Sequence, residues 1–442
     1  MKKIAVIGAG PAGCSAAYHL RAAGVDVDLF DKSQQVGGRT ARFDQNECAF
    51  DTGAAFFTNF YPLLNELVDR LGLRKDVLEL ERRVGMRYKD QIAEFAFGDF
   101  STFWGLPFLS TNDKLSMIWN TIKLTIRRPF YDLVDPNKLS QIDERSIADW
   151  AREDMTEAVY QYCIRPGVEP FWYFSCEDVS RAMTTVLQAN AADAKFYTFK
   201  NGMSQISYKL SEGCNLYLNT EVNRIEKSGD TYQLFAKSEN KTLELTYDGL
   251  IMACTADVST VLLNESLIDV ERLKYVQSQK YVANIHVAYM VDRAAVKDML
   301  AYYYPCGNWE TPIAAIVLHK TKSEYSVQAP DGKELISVYL LNKPSLDNSN
   351  YDKETLGIKI WEMARAFESA LPEKAECISV FNRSHAIPLH EVGRFIQAQS
   401  ILDKSGHSLQ LAGDYLSCAT VEGALRSGRW AANQLMGIQS KF

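Results

Sequence analysis

Residues 3–31 leave this chain few choices of fold. An apolar, β-branched run from Ile4 to Ile7 meets Gly8, Gly10 and Gly13, and an alanine-rich stretch from Ala12 to Ala23 follows with helical character. A second apolar segment, Val25 to Phe30, ends on Asp31. Strand, glycine turn, helix and strand make a βαβ unit, the seed of a parallel α/β sheet. The glycines have separate duties. Gly8 permits the tight turn, Gly10 lets the backbone approach a pyrophosphate, and Gly13 lets helix and strand pack closely. The helix that opens at Pro11 and Ala12 offers free N–H groups and a partial positive charge to that pyrophosphate. Asp31 stands 18 residues past Gly13, close to the ~20 expected of the acid that holds a ribose hydroxyl. Lys32 beside it is assigned to the same dinucleotide site.

At 442 residues the chain exceeds what one core supports, so two or three domains are expected. The net charge of −7 lacks the basic footprint of a nucleic-acid binder, and no nucleic-acid partner is expected. The nine cysteines are scattered without a CxxC pair, which suits unpaired thiols in a reducing compartment and argues against a zinc site. His385 and His390 are read as structural, so no metal is expected. Lys2 and Lys3 lead into only a few apolar residues, so no signal peptide is read, and no apolar run reaches the length of a spanning helix. A cytoplasmic location follows as the expectation.

Beyond Asp31 comes Gln34-Gln35-Val36-Gly37-Gly38-Arg39. The N-terminal GxGPAG fingerprint paired with this VGGR resembles the flavin-dependent amine oxidase superfamily, which includes protoporphyrinogen oxidases, phytoene-desaturase-like enzymes and monoamine oxidases. The resemblance implies FAD and an α/β architecture. A Rossmann-like FAD-binding domain would be assembled from residues 1–75, 200–255 and 380–442, with a mixed α+β substrate-binding domain from 76–199 and 256–379. It places Gly38 and Arg39 near the diphosphate and the Gly53-Ala54 backbone along the flavin ring. Asn201-Gly202-Met203 resembles the family's GGM-like turn, and Val222 would touch the adenine. Near the C-terminus, Leu409 to Leu411 reads as a buried strand ending in Gly413-Asp414, so a carboxylate sits at the carboxyl edge of a sheet, where α/β folds bind ligands. Thr420 and Val421 then open a helix whose N-terminus would face the flavin, where its dipole favours the anionic reduced state.

The remaining segments bear on the substrate. Thr111 to Arg128 reads as an amphipathic helix with Leu115, Ile118, Trp119, Ile122 and Ile126 on one stripe, ended by Pro129. Packing of that stripe on the protein's own core is the commoner arrangement, and a membrane surface beside Arg127 and Arg128 is the other. The aromatics at 171–174 suit either the wall of a pocket for a large apolar substrate or domain-interface packing. Phe57, Trp172 and Tyr173 are the pocket candidates; Phe56 beside Phe57 could also line the pocket, although two adjacent phenylalanines are more often core. Amine-oxidising members of the superfamily carry a lysine near residues 282–291, but here the nearest residues are Asn284 and His286, with Lys280 too early. His286 is the catalytic candidate, with structural burial as its competing role. The leading reading is an FAD-dependent oxidoreductase that dehydrogenates a bulky, largely apolar small molecule by hydride transfer to flavin N5, with oxygen or another acceptor taking the electrons. A flavin amine oxidase and a flavin-binding protein without turnover are the alternatives.

Overall fold

The computed structural model describes residues 2–239, 241–402, 407–440 and 442. The N-terminal unit forms as its pattern dictates. Strand Lys3–Ile7 lies between Asp26–Phe30 and Gly249–Met252, with Ile4 opposite both Val27 and Gly249. Asn215–Tyr217 and Leu409–Leu411 add the outer strands, all parallel. Five strands drawn from four distant stretches of sequence thus make one sheet. Helices cover it, which is why Ile4–Ile7 and Leu250–Met252 are continuously apolar rather than alternating.

Two of those helices, Pro11–Ala22 and Val421–Leu435, press directly on each other. A Cβ on Gly428 would fall 2.0 Å from the Ala12 carbonyl oxygen, and the Ser15 hydroxyl donates to the Leu425 carbonyl at 2.7 Å. Small residues are therefore required on both helices, and the first and last parts of the fold share one interface.

Among the described residues, seven strands form the second large sheet, in the order Glu376–Pro388, Tyr281–Asp292, Lys333–Leu340, Ile313–Leu318, Tyr302–Pro305, Arg83–Tyr88, Gln91–Ala96. Pairing is antiparallel except between Tyr302–Pro305 and Arg83–Tyr88. Helix Lys353–Phe367 buries Leu356, Ile360, Ala364 and Phe367 in the same core as Ile285, Val287 and Ile336 of the sheet. Its end is locked to the meander by a buried ion pair, Arg87 to Glu368 at 2.9 Å. The residue-380 boundary expected between the domains falls inside strand Glu376–Pro388, which stays paired with the second sheet to its last residue, Pro388 opposite Tyr281.

The stretch between Phe100 and Asp193 is mostly helical. Helix Thr111–Arg127 has the expected span, opened by a reciprocal Ser110–Asp113 capping box. The expected burial of its apolar stripe is overturned. Leu115, Trp119, Ile122 and Ile126 are 45–72% exposed, while Asn120 and Leu124 face inward. Hydrogen bonding decides this orientation. The Asn120 amide donates to Gln188 Oε1 at 3.3 Å, and the Gln188 amide donates to the Thr121 hydroxyl at 3.0 Å, holding the polar side against helix Arg181–Ala189.

Candidate cofactor and substrate site

At the carboxyl ends of the parallel strands lies a cavity of about 810 Å³. Gly8, Gly10, Pro11 and Ala12 form one wall. Gly8 has φ +107°, and a Cβ there would lie 2.6 Å from the Ala253 carbonyl oxygen, so the turn admits only glycine. Gly10 is different. A Cβ on it would meet no atom within 4 Å, so its bare backbone faces the cavity. Gly13 does not line the cavity; its Cβ would strike the Gly8 carbonyl oxygen at 1.8 Å, which gives it the packing role.

Asp31 and Lys32 line the same space. The Asp31 carboxylate accepts the N–H of Ala9 at 2.7 Å and of Ser33 at 2.8 Å, which fixes it at the strand end and leaves lone pairs toward the cavity. Val222 reaches it from strand Thr220–Ser228. Gly38, Arg39, Gly53 and Ala54 form the next part of the wall. A Cβ on Gly53 would sit 2.0 Å from the Arg39 carbonyl oxygen, so these two segments run in contact.

The C-terminal elements close the site, with Gly413, Asp414, Thr420 and Val421 on the cavity. Arg39 Nη2 donates to Asp414 Oδ1 at 2.6 Å, and its Nη1 to the Ala386 carbonyl at 3.3 Å. One ion pair thus joins the N-terminal loop to the last strand of the sheet. Thr420 caps helix Val421–Leu435 by accepting the Gly423 N–H. Glu422 turns away from the cavity. Its two oxygens accept the N–H groups of Leu63 and Leu64 at 2.9 and 2.8 Å, capping helix Pro62–Arg70. Burial pushes this carboxyl up to about 7, against the pull of those N–H donors.

Bare glycine edges, a fixed acid, a guanidinium and two helix N-termini around one cavity are the donor set that a flavin dinucleotide requires. The sequence pattern of the flavin containing amine oxidoreductases matches residues 11–436. The chain belongs to that family. This flavin containing amine oxidoreductase is 27% identical to zeta-carotene desaturase of Arabidopsis thaliana over 284 residues, covering 57% of this chain and 50% of that one. It is also 27% identical to protoporphyrinogen oxidase 2 of the same plant over 175 residues, 38% of this chain and 32% of that one. The matches thus span half or less of those relatives. In fold, the oxidoreductase resembles cyclohexylamine oxidase of Brevibacterium oxydans IH-35A, with TM-score 0.72 and 16% identity over 99% of both chains. A fatty acid isomerase of P. acnes that produces CLA is similar too, with TM-score 0.71 and 16% identity over 97% of both.

On the substrate side of the oxidoreductase, Trp172 and Tyr173 line the cavity as expected of pocket residues. Trp172 Nε1 donates to the Ala419 carbonyl at 2.8 Å, and Tyr173 stacks on Tyr339. Phe57 is corrected. It is fully buried and stacked on Phe199, and its neighbour Phe56 faces the cavity instead. Alternation along an extended segment sends adjacent side chains to opposite sides, so only one of the two could do so.

His286 is also corrected. It is fully buried, off the cavity, with Nε2 2.7 Å from Ser337 Oγ and its ring stacked between Tyr339 and Phe381. Burial lowers it to about 3, so it is uncharged at neutral pH. Asn284 does line the cavity but donates its amide to Leu340, while Lys280 pairs with Glu391 at the surface. Besides Lys32, Lys322 reaches the cavity, from the turn after strand Ile313–Leu318. It is buried, burial lowers its pKa against the attraction of Asp51, and its ammonium has no hydrogen bond or ion pair among the described residues. Arg383 and His319 line the cavity as well. His-Lys-Thr-Lys reads as a surface turn, so nothing in the sequence signals Lys322.

A second, wholly buried histidine gives a stability test. His390 is 4% exposed and is lowered by burial to about 4. Its unfolded-state pKa is near 6.5, so the unfolded chain takes up a proton first as pH falls. The stabilisation is complete above pH ~6.5 and is lost progressively toward pH 4, at up to about 1.4 kcal/mol per pH unit. Buried acids such as Glu422 act in the opposite sense, so the informative quantity is a difference. Urea unfolding of His390→Gln at pH 6.5 and pH 5 should show a smaller acid loss than the parent, and an equal loss would reject the assignment.

Proposed function

We propose that this oxidoreductase dehydrogenates a bulky, largely apolar small molecule, with oxygen or another acceptor finally taking the electrons. The observation that carries this is a second, apolar cavity of about 180 Å³ that shares Phe56, Tyr61, Phe171, Trp172 and Tyr304 with the cofactor cavity. Beyond those five, its walls are chiefly Phe95, Phe97, Phe103, Met117 and Phe196. Such walls exclude water and hold a large apolar body by shape, while the few polar groups set its orientation. Bound FAD supplies the two-electron acceptor that the chain's own side chains lack. Its holders on this reading are Gly10, Asp31, Lys32, Gly38, Arg39, Gly53, Ala54, Val222, Asp414, Thr420 and Val421, in a domain made of residues 1–75, 200–255 and the chain beyond Pro388. Arg383, a cationic group on the cavity, disfavours an ammonium substrate. The names of the two plant relatives, a desaturase and a protoporphyrinogen oxidase, point toward the same substrate class.

Anaerobic titration of the yellow holoprotein tests this. A porphyrinogen or a polyene precursor is expected to bleach the flavin absorbance, and alkyl amines are not. Bleaching by a simple amine alone would overturn the substrate class. Bleaching by dithionite only, with none of a broad panel of organic substrates active, would favour a binding protein without turnover.

A further inference from the structure

We propose that the segment from Phe100 to Phe130 is a docking face that seats the protein on an anionic lipid surface. Helix Thr111–Arg127 turns Leu115, Trp119, Ile122 and Ile126 outward, at spacings of four, three and four residues that keep them on one face. The short helix Phe100–Trp104 extends that face. Phe100 is 61% and Trp104 42% exposed, their rings are stacked, and the Lys114 ammonium bonds the Trp104 carbonyl, tying the two helices together. Phe130, just past the terminating Pro129, is 71% exposed.

Isolated exposed apolar residues are ordinary, but a contiguous aromatic and aliphatic face marks an interaction site. Charge selects the partner. Residues 100–130 carry four cations, of which Arg128 is paired with Asp193, and a single acid, in a chain whose net charge is −7. That acid, Asp113, is spent on the helix cap and on the Thr156 hydroxyl. Lys123 and Arg127, one turn apart, border the apolar stripe and have no ion pair among the described residues. An apolar face rich in tryptophan and phenylalanine and rimmed by basic residues is the form of a helix lying in the headgroup region. The helix lies on the membrane and does not cross it. Among the described residues no helix is long and apolar enough to span. A second copy of this face would bring Lys123 and Arg127 no acid but Asp113, which is already bonded to the helix cap and Thr156, and this disfavours a dimer here.

The inner side of the same segment supplies Phe103, Leu106 and Met117 to the apolar cavity. One layer of helix therefore separates the lipid phase from the cavity. Delivery of substrate by this route rests on the proposed substrate class, whereas docking does not.

Flotation of the full-length holoprotein with phosphatidylcholine vesicles, with and without phosphatidylglycerol, tests docking in the absence of any substrate. The protein should float with the phosphatidylglycerol vesicles, and added salt should weaken the association. Trp119→Glu/Ile126→Glu should partition at least about tenfold less, and Lys123→Glu/Arg127→Glu should lose the preference for anionic vesicles. Both variants alter exposed side chains, so unchanged flavin content and melting temperature would show that the fold is kept. A parent protein that stays unbound with both vesicle types would overturn the proposal. So would light scattering that finds a parent dimer and a monomeric Trp119→Glu/Ile126→Glu, since that assigns the face to a second copy.

Discussion

Replacing Gly10 by valine is expected to yield a folded protein that no longer retains FAD. Gly10 has φ −75° and ψ −179°, a conformation open to any residue, and its added Cβ meets nothing within 4 Å. The apoprotein therefore has no reason to unfold. The new side chain instead occupies the cavity where bare backbone would approach the diphosphate, and a misfit of ~3 kcal/mol there weakens binding by about 100-fold. Flavin absorbance per protein, followed by FAD titration of the apoprotein, measures the loss. Wild-type retention of FAD by Gly10→Val would place the diphosphate elsewhere. Gly13→Val is the contrasting control. Its Cβ would lie 1.8 Å from the Gly8 carbonyl oxygen, so that variant should fail at folding.

Asp414→Ala should damage both stability and cofactor retention. The Asp414 side chain is 10% exposed and holds Arg39 at 2.6 Å. Its removal leaves the guanidinium, among the described residues, with the long bond to Ala386 alone. Breaking a fully buried pair costs about 3–5 kcal/mol. Arg39 is one-third exposed, so a loss of about 2 kcal/mol is the better expectation, because solvent screens the orphaned charge. The loop from Gly37 to Ala41 then loses its tie to the last strand, and FAD affinity should fall by a further order of magnitude or more. Asp414→Asn, which keeps an acceptor oxygen, should lie between the two. Parent-like melting and flavin content in Asp414→Ala would show that the ion pair does not organise the site.

How much of this was legible in the sequence depends on whether the physics was local. Gly8, Gly10 and Gly13 could be read because a βα turn confines its demands to a few consecutive residues. The Gly413-Asp414 strand end and the helix opening at Val421 were legible for the same reason. The face of helix Thr111–Arg127 was not. Its span and caps follow from adjacent residues, but its orientation is set by Asn120 and Thr121 meeting Gln188, a partner on another helix. The choice between Phe56 and Phe57 depends on the phase of a two-residue strand against Phe196 and Tyr197, which periodicity cannot supply over so short a span. Lys322 and Glu422 were illegible because both are charged residues that sequence rules assign to the surface. Only tertiary packing buries one on the cavity and the other beneath a helix end.

The contact between Ala12 and Gly428 also orders events in time. The pyrophosphate-binding turn is synthesised about 400 residues before the helix pressed against it and the strand end that carries Asp414. Contacts of such long sequence separation cost loop-closure entropy before they return any stability, so they form slowly. The unit built on residues 3–31 therefore waits, with an open flank of its sheet, until residues 409–435 arrive. Chains not yet extended that far are candidates for chaperone holding rather than for early flavin loading.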